Sequence, residues 1–364
     1  MRFLALVFFV FAAAAVARLA FAGYLYRLDS PATVARAMDT VHSAEYALRL
    51  AELDPDHAPA ALRRAIVWNP QSSGARIALG LDEERSGDLA AAARDLLAAA
   101  DVDRQYLPAW TLANFYFRRG DRDRFHQWAR RSAELIPGDF QPLLALCDRV
   151  DPGSATSWLP ADKKFDRAYL DLLIAGQRWN DARRIALRLN DPKDFGRLAA
   201  FTTLLLDARE HSIALELRSI LLPQSPSLAN GDFHAAPTNQ AFDWRVPSIA
   251  GIDARWIPGR LTLFFSGREP ETCAILAQPL ALDAGVYTLR FDYSGPPGLR
   301  WTIDATETAG LQPAPAWTHA QRRFSVARGG VQWLRLIYRR DPGTTRADGS
   351  FELSNVALEK GNTS

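Results

Sequence analysis

Ala61-Leu-Arg-Arg-Ala-Ile-Val-Trp-Asn-Pro70 is echoed by Asp95-Leu-Leu-Ala-Ala-Ala100 and again by Trp128-Ala-Arg-Arg-Ser-Ala-Glu-Leu-Ile-Pro137. Ala65, Ala99 and Ala133 stand 34 residues apart, each on an apolar segment near the end of a helical pattern. A period near 34 made of two amphipathic helices marks a helical-hairpin repeat, whose units bury their apolar faces against one another rather than alone. This predicts an α-helical solenoid and, as a class of action, binding rather than chemistry.

Outward from this stretch, the helix breaks recur at the same period. Ser30-Pro31 reads as an N-cap followed by proline at the first helical position, opening a helix through about Leu53 that Asp54-Pro55-Asp56 ends. His57–Trp68 completes the first hairpin. Ser73–Ser86 pairs with Leu89–Ala100 around Gly87-Asp88, and Leu107–Arg119 pairs with Arg122–Leu135 around Gly120-Asp121. Beyond Pro137 the pattern loosens into Phe140–Val150, then Phe165–Ala175 with Asn180–Leu189, then Asp194–Ala208 with Ser212–Leu221. The outer hairpins are irregular, as capping units commonly are.

The alanines at the helix crossings, the two Gly-Asp turns, the ending Ala65-Ile-Val-Trp-Asn-Pro70 and Trp110 early in a first helix resemble the tetratricopeptide repeat. Arg76 in the place of Trp110 and Glu83 where an aromatic is usual depart from that pattern. The resemblance implies a concave groove lined by successive first helices. Residues one period apart would stack along it: Leu81 with Phe115, Glu84 with Arg118, and Arg85 with Arg119. It also implies a peptide or helix as partner, with Arg118 and Arg119 attracting a carboxylate. A solvated helix face is the plainer reading of the same charges.

At the N-terminus, Phe3 to Ala17 is an uninterrupted apolar run behind Arg2, and apolar character resumes from Leu19 to Tyr26. With Arg18 snorkelling, residues 1–26 reach about the 20 residues of a spanning helix, and Tyr24 and Tyr26 fall at the interface. A cleaved signal peptide is the rival reading, because Ala15-Val-Ala17 and Ala20-Phe-Ala22 both offer the small-x-small pattern. Either reading exports residues 28–364.

Composition narrows the classes. The 364 residues are 48% hydrophobic and 23% charged, as globular chains are, and allow two or three domains. A net charge of +2 gives nucleic-acid binding little support. Only four of the 43 basic residues are lysine, a bias typical of GC-rich bacterial coding. Cys147 and Cys273 are isolated and support neither a disulfide framework nor a zinc site.

Leu222-Pro-Gln-Ser-Pro-Ser227 reads as a linker, after which the period turns from helical to alternating. Tyr287, Leu289, Phe291 and Tyr293 alternate with polar residues, as do Leu299, Trp301 and Ile303, while Leu334, Leu336 and Tyr338 alternate with Trp333, Arg335 and Ile337. Strong turns separate these runs, so seven to nine short strands in an antiparallel β-sandwich are predicted.

Asn230-Gly-Asp-Phe233, Phe242-Asp-Trp244, Leu276-Ala-Gln-Pro-Leu280, Gly285-Val-Tyr-Thr-Leu289 and the closing Gly349-Ser-Phe-Glu-Leu-Ser-Asn-Val-Ala-Leu358 resemble carbohydrate-binding jelly rolls of the galactose-binding-like class. The resemblance implies a structural calcium held partly by two carboxylates, but His234 and Asn355 occupy those places. It also implies sugar stacking on exposed aromatics. Trp333 is out of phase with the apolar file and in phase with Arg335, Trp256 and Trp317 fall in predicted loops, and Trp301 reads as core. The candidate glycan contacts are therefore Trp256, Trp317, Trp333 and Arg335.

No nucleophile elbow, zinc-protease helix, phosphate loop or dinucleotide fingerprint occurs. Glu269, Glu271 and Glu307 are the carboxylates that a glycosidase pair would draw on. The chain is thus expected to be multidomain, with no cofactor: a membrane helix or signal segment (1–26), an all-α solenoid (28–221), a linker (222–227) and an all-β jelly-roll sandwich (228–360). The expected function is a non-catalytic envelope scaffold, binding a protein partner through the solenoid and a glycan through the sandwich, in assembly or export of a surface polysaccharide. A purely protein-binding structural role is the alternative, and a glycan hydrolase a more distant one.

Overall fold

The computed structural model describes residues 2–223, 228–304 and 306–361, with side chains from residue 6 onward. Residues 224–227 of the expected linker lie outside the described residues. The chain divides into two compact units, Met1–Tyr169 and Leu170–Ser364.

In the first unit, α1 (Arg2–Arg27) is one unbroken helix. Phe8, Phe9, Phe11 and Val16 are exposed along it, whereas Ala22 and Leu25 are buried against Ala37 of α2 (Pro31–Thr40). Its stretch Leu6–Arg27 is long and apolar enough to cross a membrane. Ser30 caps α2 through a reciprocal capping box with Thr33, with Pro31 opening the helix.

The single helix expected through Leu53 is instead two, α2 and α3 (Ala44–Leu53). Backbone at Val41 and Ser43 is extended, a conformation that suits the β-branched Val41. His42 in this break stacks on Trp68 of α4 (Ala58–Trp68), with ring centroids 4.5 Å apart.

Two regular hairpins follow. α5 (Ser73–Ser86) pairs with α6 (Leu89–Val102), and α7 (Tyr106–Arg119) with α8 (Arg122–Leu135). Gly87 and Gly120 end α5 and α7 in the left-handed region, at φ 90° and 69°. Asp88 and Asp121 then cap the returning helices. The helix starts recur after 33 residues, from Ser73 to Tyr106 and from Leu89 to Arg122. Ala65, Ala99 and Ala133 are all buried at the packing surfaces. α9 (Gln141–Val150) and α10 (Lys163–Ala175) continue the helical run, and the boundary between the units falls within α10.

Among the described residues the second unit carries α11 (Trp179–Ala186), α12 (Phe195–Asp207), α13 (His211–Leu221) and nine strands. These are β1 (Ile252–Ile257), β2 (Arg260–Ser266), β3 (Thr272–Leu282), β4 (Gly285–Gly295), β5 (Leu299–Ile303), β6 (Thr306–Glu307), β7 (Ala314–Val326), β8 (Gly330–Arg339) and β9 (Asp348–Lys360). They form two antiparallel sheets, β1-β2-β9-β4-β7 and β3-β8-β5-β6. The alternation read from the sequence decides which faces meet: Leu289, Phe291 and Tyr293 of β4 and Phe351 and Leu353 of β9 share one buried cluster with Leu299, Trp301 and Ile303 of β5 and Leu334 and Leu336 of β8. The architecture is therefore an α-helical region followed by an antiparallel β-sandwich.

α12 and α13 are joined to the sandwich within this unit. Ala241 donates its backbone N–H to Thr203 Oγ1 at 2.7 Å, Arg245 pairs with Asp207 at 2.7 Å, and α13 packs on β8.

Candidate functional site

The outward face of the five-stranded sheet gathers polar and aromatic groups around β4, β7 and β9. Asp292 lies between inward Phe291 and Tyr293, so the pleat turns it outward. It stands directly opposite His319 on β7, and Trp317 is two residues along the same outward file. On β9 the register slips between the partners of Arg290 and Asp292, and Asn355 sits in this bulge with φ 49°, which asparagine tolerates better than most residues.

These strands close a shallow cavity of about 380 Å³ lined by Asp292, Trp317, Thr318, His319, Ser354 and Asn355. Asn355 Nδ2 donates to Asp292 Oδ2 at 2.8 Å, and His319 Nδ1 lies 2.8 Å from Asp292 Oδ1. The Asn355 amide, then the His319 ring, hold the Asp292 carboxyl below the usual carboxylate range. Trp317 is 47% exposed beside this network. A flat apolar ring next to fixed donors and acceptors can stack one face of a ligand while reading its hydroxyl groups.

The four residues singled out for glycan contact separate here. Trp317 lies in the cavity, on β7 rather than in a loop. Trp256 is also on a strand, β1; it packs against the sandwich core and donates Nε1–H to the Phe233 carbonyl at 2.8 Å. Trp333 and Arg335 do share a face of β8, but it is not an open one. The Trp333 ring is half-buried, with the guanidinium of Arg245 4.8 Å and that of Arg335 5.3 Å from its centroid. Desolvation there lowers the pKa of Arg335. Trp301 is fully buried.

No pattern in the sequence brings Asp292, His319 and Asn355 together as one site. The alternation of β4 turns Asp292 outward and could have flagged it, but its meeting with His319 depends on the β4–β7 register and its meeting with Asn355 on a bulge. At the positions where the resemblance implies calcium carboxylates, the Asn355 amide is taken by Asp292 and His234 is exposed. Among the described residues no group of three or more His, Cys, Asp or Glu side chains is placed to hold a metal ion.

On the helical unit, Glu84 and Arg118 meet as the period suggested, in a two-bonded pair at 2.8 and 2.6 Å, with Arg119 3.5 Å from the same carboxylate. The carboxylate attracted is thus one from the chain itself. Arg85 pairs with Asp82 at 2.7 Å, and Leu81 is exposed. Phe115 does not line a groove: it is 3% exposed, edge-on to Tyr116, because its helix turns that position into the packing surface.

Of the carboxylates considered for hydrolysis, Glu271 pairs with Arg340, Glu307 pairs with Arg300 and Arg339, and Glu269 is fully buried. Cys147 is buried and Cys273 half-buried; both are free thiols.

No known protein family and no curated protein matches the chain. Solved structures similar to its sandwich include the CBM22-1 xylan-binding domain of Xyn10C from Paenibacillus barcinonensis, at 12% identity over 36% of this chain and 91% of that one, with a TM-score of 0.26. TmCBM61 in complex with β-1,4-galactotriose matches at 15% identity over 38% of this chain and 100% of that one, with a TM-score of 0.27. A family 16 carbohydrate-binding module matches at 17% identity over 37% and 100%, with a TM-score of 0.26.

Proposed function

We propose that this chain is a non-catalytic binding protein of the bacterial envelope that holds a glycan on the outward face of its five-stranded sheet and a protein partner on its helical region. The observation that carries the glycan reading is the exposed Trp317 indole beside the Asp292–His319–Asn355 network, an apolar platform with fixed polar groups at its edge. A protein partner on the helices is supported by hairpins that recur with Gly-Asp turns and buried alanines, in the manner of tetratricopeptide repeats.

Anchoring by α1, rather than removal as a signal peptide, is supported by its packing. Arg18 Nε donates to the Thr40 carbonyl at 2.5 Å, and Ala22 and Leu25 are buried on α2, so cleavage after Ala17 or Ala22 would remove part of the folded unit. Surface-polysaccharide assembly or export is the setting that joins an anchor, a docking region and a sugar-binding face. Screening the full-length protein in detergent against an array of bacterial and plant polysaccharides tests the glycan reading: binding that disappears in Trp317→Ala supports it, and an array without any bound glycan contradicts it.

A further inference from the structure

The connection between α6 and α7 and the outer side of α8 enclose an open cleft of about 410 Å³. Arg104 and Gln105 reach it from the connection, and Gln127, Trp128, Arg130 and Arg131 from α8. The cleft is lined mostly from α8 and the α6–α7 connection, whereas the Glu84–Arg118 pair joins first helices.

The acidic groups on its wall are already answered. Asp103 accepts from the Ser73 hydroxyl at 2.8 Å and from the Gln105 backbone N–H at 3.0 Å, and Glu134 pairs with Arg131 at 2.9 Å. Arg104 and Arg130, by contrast, make no ion pair or hydrogen bond among the described residues, and both face the same space. Two unanswered guanidiniums beside a half-buried indole present a fork geometry suited to carboxylates.

We infer that this cleft receives an acidic peptide segment of a partner protein, with Asp or Glu side chains of that segment bonded by Arg104 and Arg130. Gln105 and Gln127 supply amides that match peptide N–H and C=O groups, and Trp128 supplies apolar surface for the segment's flank. The inference rests on the reading of the helical region as protein-binding and places that binding away from the groove of the first helices.

The test is fluorescence anisotropy of fluorescein-labelled hexaglutamate titrated with the full-length protein in detergent at low salt. Saturable binding is expected, weakened about tenfold or more by the double substitution Arg104→Glu with Arg130→Glu. Arg149→Glu, an exposed charge reversal on α9, is expected to change it less than about twofold, with unchanged helical circular dichroism in all variants. No saturable binding by the wild type, or equal losses in the double variant and Arg149→Glu, would overturn the inference. So would tighter binding of oligogalacturonate through the same two arginines. Hexaglutamate binding untouched by the double substitution would remove this cleft while leaving protein binding elsewhere on the helices standing.

Discussion

Asn355 donates its side-chain amide to the Asp292 carboxylate across a β-bulge, at 2.8 Å. The bulge turns a residue of β9 that would otherwise continue the ladder toward the cavity beside Trp317. Asp292 thereby stays ionised with a fixed orientation. Because its folded-state pKa is depressed, the stabilisation it contributes is present above the ordinary carboxylate value near pH 4 and is lost as pH falls through the lower folded value. Thermal melts of wild type and Asp292→Asn between pH 7 and pH 2.5 should show an extra acid loss in the wild type that the substitution removes; parallel acid limbs would exclude this assignment.

Trp333 separates structure from binding. Its ring is clamped by Arg245 and Arg335, and Arg245 in turn pairs with Asp207 of α12. Trp333→Ala should lower stability by about 1–3 kcal/mol through lost packing and cation–π contact, while glycan affinity stays within about twofold, a loss too small to count as a lost ligand contact. Chemical denaturation and a binding titration on the same preparation decide it, and a selective loss of binding would return Trp333 to the ligand surface.

Gly80 lies where α5 packs tightly on α6. A Cβ built there would lie 2.8 Å from Leu96 Cγ and 3.2 Å from the Ala92 carbonyl oxygen, and Leu96 is 1% exposed, so the packed seam must shift to admit it. Gly80→Val should therefore destabilise the helical unit by about 1–3 kcal/mol despite the better helix propensity of the new residue. A midpoint of chemical denaturation equal to that of the wild type would show that the hairpin opens freely here.

Glu83 has the opposite pH sign from Asp292. Burial first, then the neighbouring Asp95, raises its pKa, with Arg63 opposing. The folded chain then holds a proton that the unfolded chain has already released, so stability falls as pH rises from the ordinary glutamate value through the folded one. The helical region should melt higher at pH 5 than at pH 7, and Glu83→Gln should flatten that difference. A wild-type melt that climbs with pH over this range would contradict the burial of an ionisable acid here.

The sequence made much of this architecture readable because periodicity reports burial. Ala65, Ala99 and Ala133 repeat along the helices and are buried, and Phe291 and Trp301 alternate in their strands and fill the sandwich. What escaped it depends on contacts between distant residues. Phe115 reads as a groove residue from its place one period beyond Leu81, but its helix turns it into the packing surface against Tyr116, and Trp333 reads as outward because nothing in β8 announces the Arg245 guanidinium over its ring. The Asp292–His319–Asn355 network is assembled from three strands by register and a bulge, and no local pattern encodes either.

The most direct measurement is a tryptophan-fluorescence titration of the full-length protein, wild type and Trp317→Ala, with soluble β-linked oligosaccharides of increasing length. Saturable quenching in the wild type, abolished in Trp317→Ala without loss of thermal stability, is the expected result. Saturable binding of the same sugar by Trp317→Ala with unchanged affinity would place the glycan elsewhere or nowhere on this face.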